Sequence, residues 1–341
     1  MKSLLNYSLK ELGVELSNIL VKKVPSFRAK QIFEWIFLKG VSDFEDMTNL
    51  SKDLRKDLKE KTKIFSLELE DIKRSKDKQA EKYLFYTSDK LAIETVRLVH
   101  PKRNTICVSS MVGCPLGCTF CATSYLGFKR NLDVSEILSQ ILILNNESKI
   151  DNVVFMGMGE PLLNTENVFK SIQILSDKQV MDFSVRRVTI STAGVVAGIN
   201  EMLDFDKRIG LAVSLNSPFQ TEREKIMPVT KANPLKALFK ALNRYNDKSG
   251  RFTFEYVLLP GFNDTKNHAK EIIQFRKDLD FNLNIISHNS FDDSPFSTPD
   301  EKTIERFFSY FSASNVEAVR RIPKGRDIAA GCGQLAGKSG K

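Results

Sequence analysis

The chain has 341 residues, 42% of them hydrophobic and 27% charged, with 51 Lys and Arg against 42 Asp and Glu for a net charge of +9. This is the composition of a soluble protein with room for one large α/β domain and a small appendage; its basic balance leans toward a polyanionic partner. No apolar run approaches the ~20 residues that span a bilayer, and the N-terminus lacks the layout of a signal peptide, so the expected address is the cytoplasm, away from membranes.

Residues 1–65 read as helical: "LKELGVELSNILVK", "SFRAKQIFEWIF" and "LSKDLRKDLKEKT" each space apolar residues at i, i+3, i+4, with Ser26 and Ser51 as expected N-caps. A β-rich stretch over 66–104 leads into "TICVSSMVGC", and from residue 105 to 330 strands and helices alternate. The expected strands are "NVVFMGMG", "RRVTISTA", "IGLAVSLN", "RFTFEYVLL", "FNLNIISHN" and "VEAVRRI", separated by helical segments beginning with "VSEILSQILILNN". Asp133 and Glu136 have the spacing of an N-cap pairing that opens that helix. About six such units predict right-handed βαβ crossovers and a parallel sheet. The sheet forms either a barrel or part-barrel, with working residues at the strands' C-terminal ends, or a doubly wound open sheet. The last residues, "AGKSGK", read as a mobile basic tail.

Cys107, Cys114, Cys118 and Cys121 crowd within fifteen residues while Cys332 stands alone, an odd and clustered set that points to metal or redox chemistry in a reducing compartment. "GCPLGCTFCA" sets Cys114, Cys118 and Cys121 at C-x3-C-x2-C, in what reads as the loop between the strand "TICVSS" and the next helix. Structural zinc wants four closed ligands, which His268 or His288 would have to complete. Three thiolates on a 4Fe–4S cluster instead leave one iron free for an exogenous ligand.

With Phe120 before its last cysteine, this loop resembles the radical S-adenosylmethionine (SAM) superfamily, in which SAM chelates the free iron. "GMGEP" matches the superfamily's glycine-rich turn: Gly159 lets the backbone approach closely and Glu160 offers a carboxylate to the SAM ammonium. Over nearly the whole chain, "CVSSMVGCPLGCTFCATSYLGFKRNL", "FMGMGEPLLN", "RRVTISTAGVV", "AVSLNSP", "EYVLLPGFND" and "GCGQLAG" are similar to the radical-SAM adenine-C2 RNA methyltransferases.

That resemblance implies a partial TIM-type (β/α)6 radical-SAM barrel, a small N-terminal helical accessory domain that binds RNA, and a tail, 331–341, carrying a methyl-accepting cysteine. It implies action on an adenosine of 23S ribosomal RNA and on adenosine 37 of certain tRNAs, by a monomer served by an external electron donor. Two SAM molecules are used per turnover: one methylates Cys332, and the other, on the cluster, yields the radical that takes a hydrogen from the S-methyl group. The resulting radical adds to C2, Glu94 accepts the proton, and Cys107 attacks the Cys332 sulfur, leaving a transient disulfide. Ser191, Ser214, Leu215, Asn216 and Asn289 correspond to SAM-contacting positions. Two departures stand out: the family usually has His at Asn216, and Gly331 replaces the Ala that usually precedes the cysteine, which suggests a looser loop.

Two rivals stay open. One is the related resistance enzyme that methylates C8 of the same rRNA adenosine; the other is an RNA-binding module with a Cys3His zinc site. Lys129, Arg130, Arg186, Arg187, Arg320, Arg321, Lys324 and Arg326 are candidate phosphate contacts.

Overall fold

The structure is a computed structural model that describes residues 1–205 and 209–337. Its N-terminal part comprises β1 (Lys2–Ser3), α1 (Leu9–Leu20), α2 (Phe27–Phe33), α3 (Lys52–Lys61) and β2 (Thr62–Lys63), with β1 and β2 paired in parallel. Leu12, Leu16 and Leu20 form one apolar stripe on α1 and are buried with Ile32, Phe33 and Phe37. Ser51 caps α3 by accepting the Leu54 amide, whereas Ser26 is itself α-helical and its hydroxyl caps nothing. Beyond α2 the backbone loosens into a π-helical turn, Glu34–Leu38.

The core begins with β3 (Leu67–Arg74), β4 (Ala80–Thr87), β5 (Ala92–His100) and β6 (Arg103–Cys107), an antiparallel meander. A two-stranded ribbon follows, β7 (Met111–Gly113) with β8 (Phe128–Asn131), and the short helix α4 (Ala122–Tyr125) lies between its arms. Then come α5 (Val134–Glu147), β9 (Asn152–Phe155), α6 (Thr165–Ser176), β10 (Val188–Thr192), α7 (Val196–Asp204), β11 (Gly210–Ser214), α8 (Gln220–Ile226) and α9 (Leu235–Ser249). The chain closes with β12 (Phe252–Leu258), α10 (Lys266–Phe275), β13 (Phe281–Ser287), α11 (Glu301–Ser309) and β14 (Ala318–Arg321). Asp133 and Glu136 form the expected reciprocal capping box on α5.

One sheet runs β14-β13-β12-β11-β10-β9-β6-β5-β4-β3. From β6 onward the strands are parallel and strictly in chain order. Each right-handed crossover therefore steps one strand in the same direction and puts its helix on the same face. A doubly wound sheet needs a reversal of strand order, and none occurs here. The result is an open (β/α)6 part-barrel whose parallel strands present their C-terminal ends to one mouth, extended on the β6 side by β5, β4 and β3. Among the described residues no helix is long and apolar enough to cross a membrane.

Candidate active site

At the mouth of the part-barrel two cavities meet. One, of about 160 Å³, is lined by Cys114, Cys118, Cys121, Phe120, Gly159, Glu160, Ser191, Ser214, Glu255 and Cys332 among others. The second, of about 250 Å³, is lined by Cys107, Val154, Arg103, Lys324, Asn289 and Cys332 among others. Cys332, Arg321, Met156 and Ile286 belong to both walls. All five cysteines are free thiols.

The cysteine loop is not a plain strand-to-helix connection. β6 stops at Cys107 because Ser109 turns its hydroxyl to bridge Glu94 and Met158, donating to the Glu94 carbonyl at 2.6 Å and accepting the Met158 amide at 2.9 Å. The β7–β8 ribbon then holds the loop at both ends, and Arg130 pins the ribbon through ion pairs to Asp89 at 2.7 Å and Glu136 at 2.8 Å. Burial pushes the Cys114 thiol up to about 12 and the Cys118 thiol well above its ordinary value, so these sulfurs ionise only beside a cation. Among the described residues no three His, Cys, Asp or Glu side chains converge on a single-ion site. His268 is committed to Thr265 and Glu222, each at 2.7 Å, and does not join the cysteines, whereas His288 lines their cavity with its Nε2 hydrogen-bonded to Ser294 Oγ at 2.8 Å. Soft thiolates spread along one cavity wall suit a multi-iron cluster better than one zinc ion.

Gly159 has φ +98°, and a Cβ there would stand 2.5 Å from the Met111 Cβ, so only glycine fits. The next residue, Glu160, is buried on the cavity wall and accepts the Ala193 amide at 2.7 Å and the Leu162 amide at 3.1 Å. Burial nevertheless raises its pKa to about 7. Of the other expected SAM contacts, Ser191 and Ser214 line the same cavity. Leu215 and Asn216 are fully buried and line neither cavity. Asn216 adopts a left-handed backbone, φ 56°, a conformation Asn tolerates, and its Oδ1 accepts the Val257 amide at 2.8 Å. Its side chain thus clasps the end of β11 to β12.

The segment carrying Cys332 is tied down on every side. Asn289 donates to the Cys332 carbonyl at 3.1 Å and accepts from Arg326 at 2.7 Å. Ala122 donates its amide to the Gly333 carbonyl, and Thr123 its hydroxyl to the Leu335 carbonyl, both at 2.7 Å. Glu94 is buried, pairs with Lys82 at 2.9 Å and accepts the amides of Ala336 and Gly337. The expected loose loop at Gly331 is instead tightly packed: a Cβ there would meet Asn289 at 2.7 Å. The expected mobile tail is anchored through Gly337; residues 338–341 lie outside the described residues.

Sequence reasoning missed Glu255 and Arg223. Glu255 Oε1 accepts from Asn284 at 2.9 Å and Arg321 at 3.2 Å, while its buried Oε2, on a residue of the first cavity's wall, has no partner. A lone carboxylate inside the apolar strand "FTFEYVLL" was the available signal. An orphaned acceptor beside three cysteines fits a cavity made for a ligand that carries donors, as SAM does.

The basic residues divide. Arg130 is neutralised in its ion pairs, Arg320 pairs with Glu301, and Arg186 and Arg187 precede β10, at the end of the barrel opposite the mouth. Arg321 and Lys324 line the Cys107 cavity, and Lys129 is exposed on β8.

Comparison with known proteins agrees with this geometry. Residues 108–275 match the radical SAM superfamily, and residues 3–64 match the ribosomal RNA large subunit methyltransferase N-terminal domain. A probable dual-specificity RNA methyltransferase RlmN from Dictyoglomus turgidum is 42% identical over 318 residues, covering 91% of this chain and 90% of that one. The dual-specificity RNA methyltransferase RlmN of Geobacter sulfurreducens is 39% identical, covering 94% and 89%. The crystal structure of a radical SAM methyltransferase from Sphaerobacter thermophilus superposes with a TM-score of 0.95 at 36% identity, covering 99% of this chain and all of that one. Identity at this level along the full length, over the same barrel and the same N-terminal domain, means that the chain belongs to the RlmN family of radical-SAM RNA methyltransferases.

Proposed function

We propose that this enzyme methylates C2 of an adenosine in 23S ribosomal RNA and of adenosine 37 in certain tRNAs, with Cys332 as the methyl carrier. The observation that carries the reading is the place of Cys332 on the wall shared by the three-cysteine cavity and the Cys107 cavity. C2 of adenine is electron-poor and offers no nucleophile for ordinary methyl transfer, so a carrier standing between a donor site and a base site answers a chemical need.

In this reading Cys114, Cys118 and Cys121 hold the cluster, and Gly159, Glu160, Ser191 and Ser214 form the cradle for SAM. Leu215, Asn216 and Asn289 act behind that cradle, through the strand ends and the Cys332 carbonyl. When bound, the cluster and two SAM molecules per turnover supply the methyl group and the one-electron chemistry, drawing the electron from an external donor. Cys332 takes the methyl group on sulfur and, after losing one hydrogen atom from it, forms a carbon–carbon bond to C2. Glu94 accepts the C2 proton as the adduct gives up its unpaired electron, which the cluster, when bound, would take back. For this the Ala336 and Gly337 amides must leave its carboxylate, so the tail shifts during the cycle. Cys107 then attacks the Cys332 sulfur: the sulfur–sulfur bond forms, the sulfur–methylene bond breaks, and the electron pair leaves with the base, which takes a proton to become the methylated product. The disulfide is reduced before the next turnover.

Lys324 beside the Cys107 cavity suits RNA phosphates, and the target base must leave its stack to reach it. The N-terminal domain serves as a further RNA contact, and the enzyme works as a monomer.

The test is the mass of the Cys332 peptide after expression with methyl-labelled methionine, together with the nucleosides of RNA treated with the reconstituted enzyme. A labelled methyl on Cys332 and 2-methyladenosine support the reading. An unmodified Cys332 in protein with a full complement of iron and sulfide refutes the carrier, and 8-methyladenosine refutes the position.

A further inference from the structure

Arg223 is fully buried, and the reaction described above gives it no part. It stands on α8, and its guanidinium donates Nε to the Leu215 carbonyl at 3.0 Å, Nη1 to Thr230 Oγ1, and Nη2 to the carbonyls of Ala193 at 2.6 Å and Ser214 at 3.0 Å. Every one of these acceptors is neutral, and no carboxylate of the described residues pairs with it. A buried cation without an anion carries a heavy desolvation penalty. Burial draws the Arg223 pKa down to about 10, which still leaves it charged at neutral pH.

The cysteine loop packs against this part of α8. Thr119 donates its amide to the Ile226 carbonyl at 3.1 Å, docking that loop on α8 just past Arg223. Cys118 packs against Ala193, Ile226 and Met227, and Ala193 is the residue whose carbonyl receives Arg223 Nη2. The cation is thus held behind Cys118 by carbonyls at the C-terminal ends of β10 and β11, where it cannot swing away.

We propose that Arg223 is the fixed counter-charge for the cluster held by Cys114, Cys118 and Cys121, and that it sets how readily that cluster accepts an electron. The proposal rests on the cluster reading of the three cysteines. A cluster on three thiolates is anionic and gains one further negative charge when the external donor reduces it. A cation that neither rotates nor exchanges with water favours the reduced form over the oxidised one, and the low-polarity surroundings strengthen the effect. The fork of an arginine suits the task because it spreads over several carbonyls at once while keeping its charge.

The test compares reconstituted wild-type protein with Arg223→Met and Thr230→Asp, reading the fraction of cluster reduced at one fixed applied potential by electron paramagnetic resonance. Arg223→Met removes the charge. Thr230→Asp leaves the fork in place and sets a carboxylate against Nη1, neutralising the charge locally. At the potential that half-reduces the wild type, both variants are expected to lower the ratio of reduced to oxidised cluster, on the order of tenfold for Arg223→Met. A role in support of the fold alone lowers iron content or melting temperature and leaves that ratio, per cluster, unchanged. A wild-type ratio in either variant with intact iron and sulfide overturns the proposal; should Arg223→Met fail to fold, Thr230→Asp decides. Failure of the underlying cluster reading looks different: the wild type itself would bind no iron and sulfide.

Discussion

The Glu94 carboxylate accepts the backbone amide of Ala336 at 2.8 Å, joining strand β5 to a residue 242 positions away and four past Cys332. Lys82, paired with Glu94, also donates to the Ala329 carbonyl at 3.3 Å, so the Cys332 segment is held on both flanks by one buried ion pair. Charge-assisted bonds of this kind contribute roughly 1.5–3 kcal/mol each. Glu94→Ala is expected to speed amide hydrogen exchange over residues 330–337 by at least about tenfold while leaving β4 and β5 protected. Unchanged exchange in the tail would show that the other contacts of Ala122, Thr123 and Asn289 suffice to hold it.

Cys107 lies on β6, where it pairs with Val96 on one side and Val154 on the other, and burial pushes its thiol up to about 12. It is the other thiol on the wall of the cavity it shares with Cys332. Cys107→Ala is expected to form the bond between Cys332 and the RNA but not to release it. The protein should then migrate on a denaturing gel as a nuclease-sensitive adduct, with turnover reduced to one event or fewer. Multiple turnovers of methylated RNA by this variant would remove Cys107 from the scheme.

Glu160 gives a pH dependence with a definite sign. Its pKa of about 7 in the folded chain lies above the ordinary 4.5, so folding favours the protonated form. The stabilisation is full below about pH 4.5 and is lost as pH rises through about 7, an effect of about 3 kcal/mol at most for a shift of this size. Cluster-free wild-type protein should therefore lose stability between pH 5 and pH 8 more steeply than Glu160→Gln, measured by denaturant unfolding. Parallel curves for the two would mean that the Ala193 and Leu162 amides already offset the burial.

The part-barrel was legible because its signals are local and repeated. Most of the parallel strands carry a short apolar run, and the crossover helices have their own period, so "NVVFMGMG" and "FNLNIISHN" needed no tertiary information to be read as strands. The three-cysteine spacing was equally local. What the sequence did not disclose depends on contacts between distant segments. Ser26 resembles a cap, but its backbone has already entered the helix. Asn216 matches a SAM-contacting position, yet the Val257 amide on the neighbouring strand β12 claims its side chain. Gly331 suggests slack only until Asn289 is placed against it. Arg223 lies in a segment that the sequence pattern assigned to no element, and only the ends of β10 and β11 show why it is buried.

Glu255 is the remaining group whose chemistry calls for a ligand. Its Oε1 is taken by Asn284 and Arg321, while Oε2 is buried without a partner, and burial raises its pKa. An acceptor left in that condition destabilises the ligand-free protein by about 1–3 kcal/mol, and a donor arriving from SAM relieves it. Glu255→Gln keeps the shape and a carbonyl oxygen for Arg321, but removes the buried negative charge. The expected result is a SAM dissociation constant raised about tenfold by calorimetry, equivalent to ~1.4 kcal/mol, with the melting temperature of the ligand-free protein unchanged or higher. Wild-type affinity combined with a lower melting temperature would mean that Glu255 serves only to hold Arg321 between the two cavities.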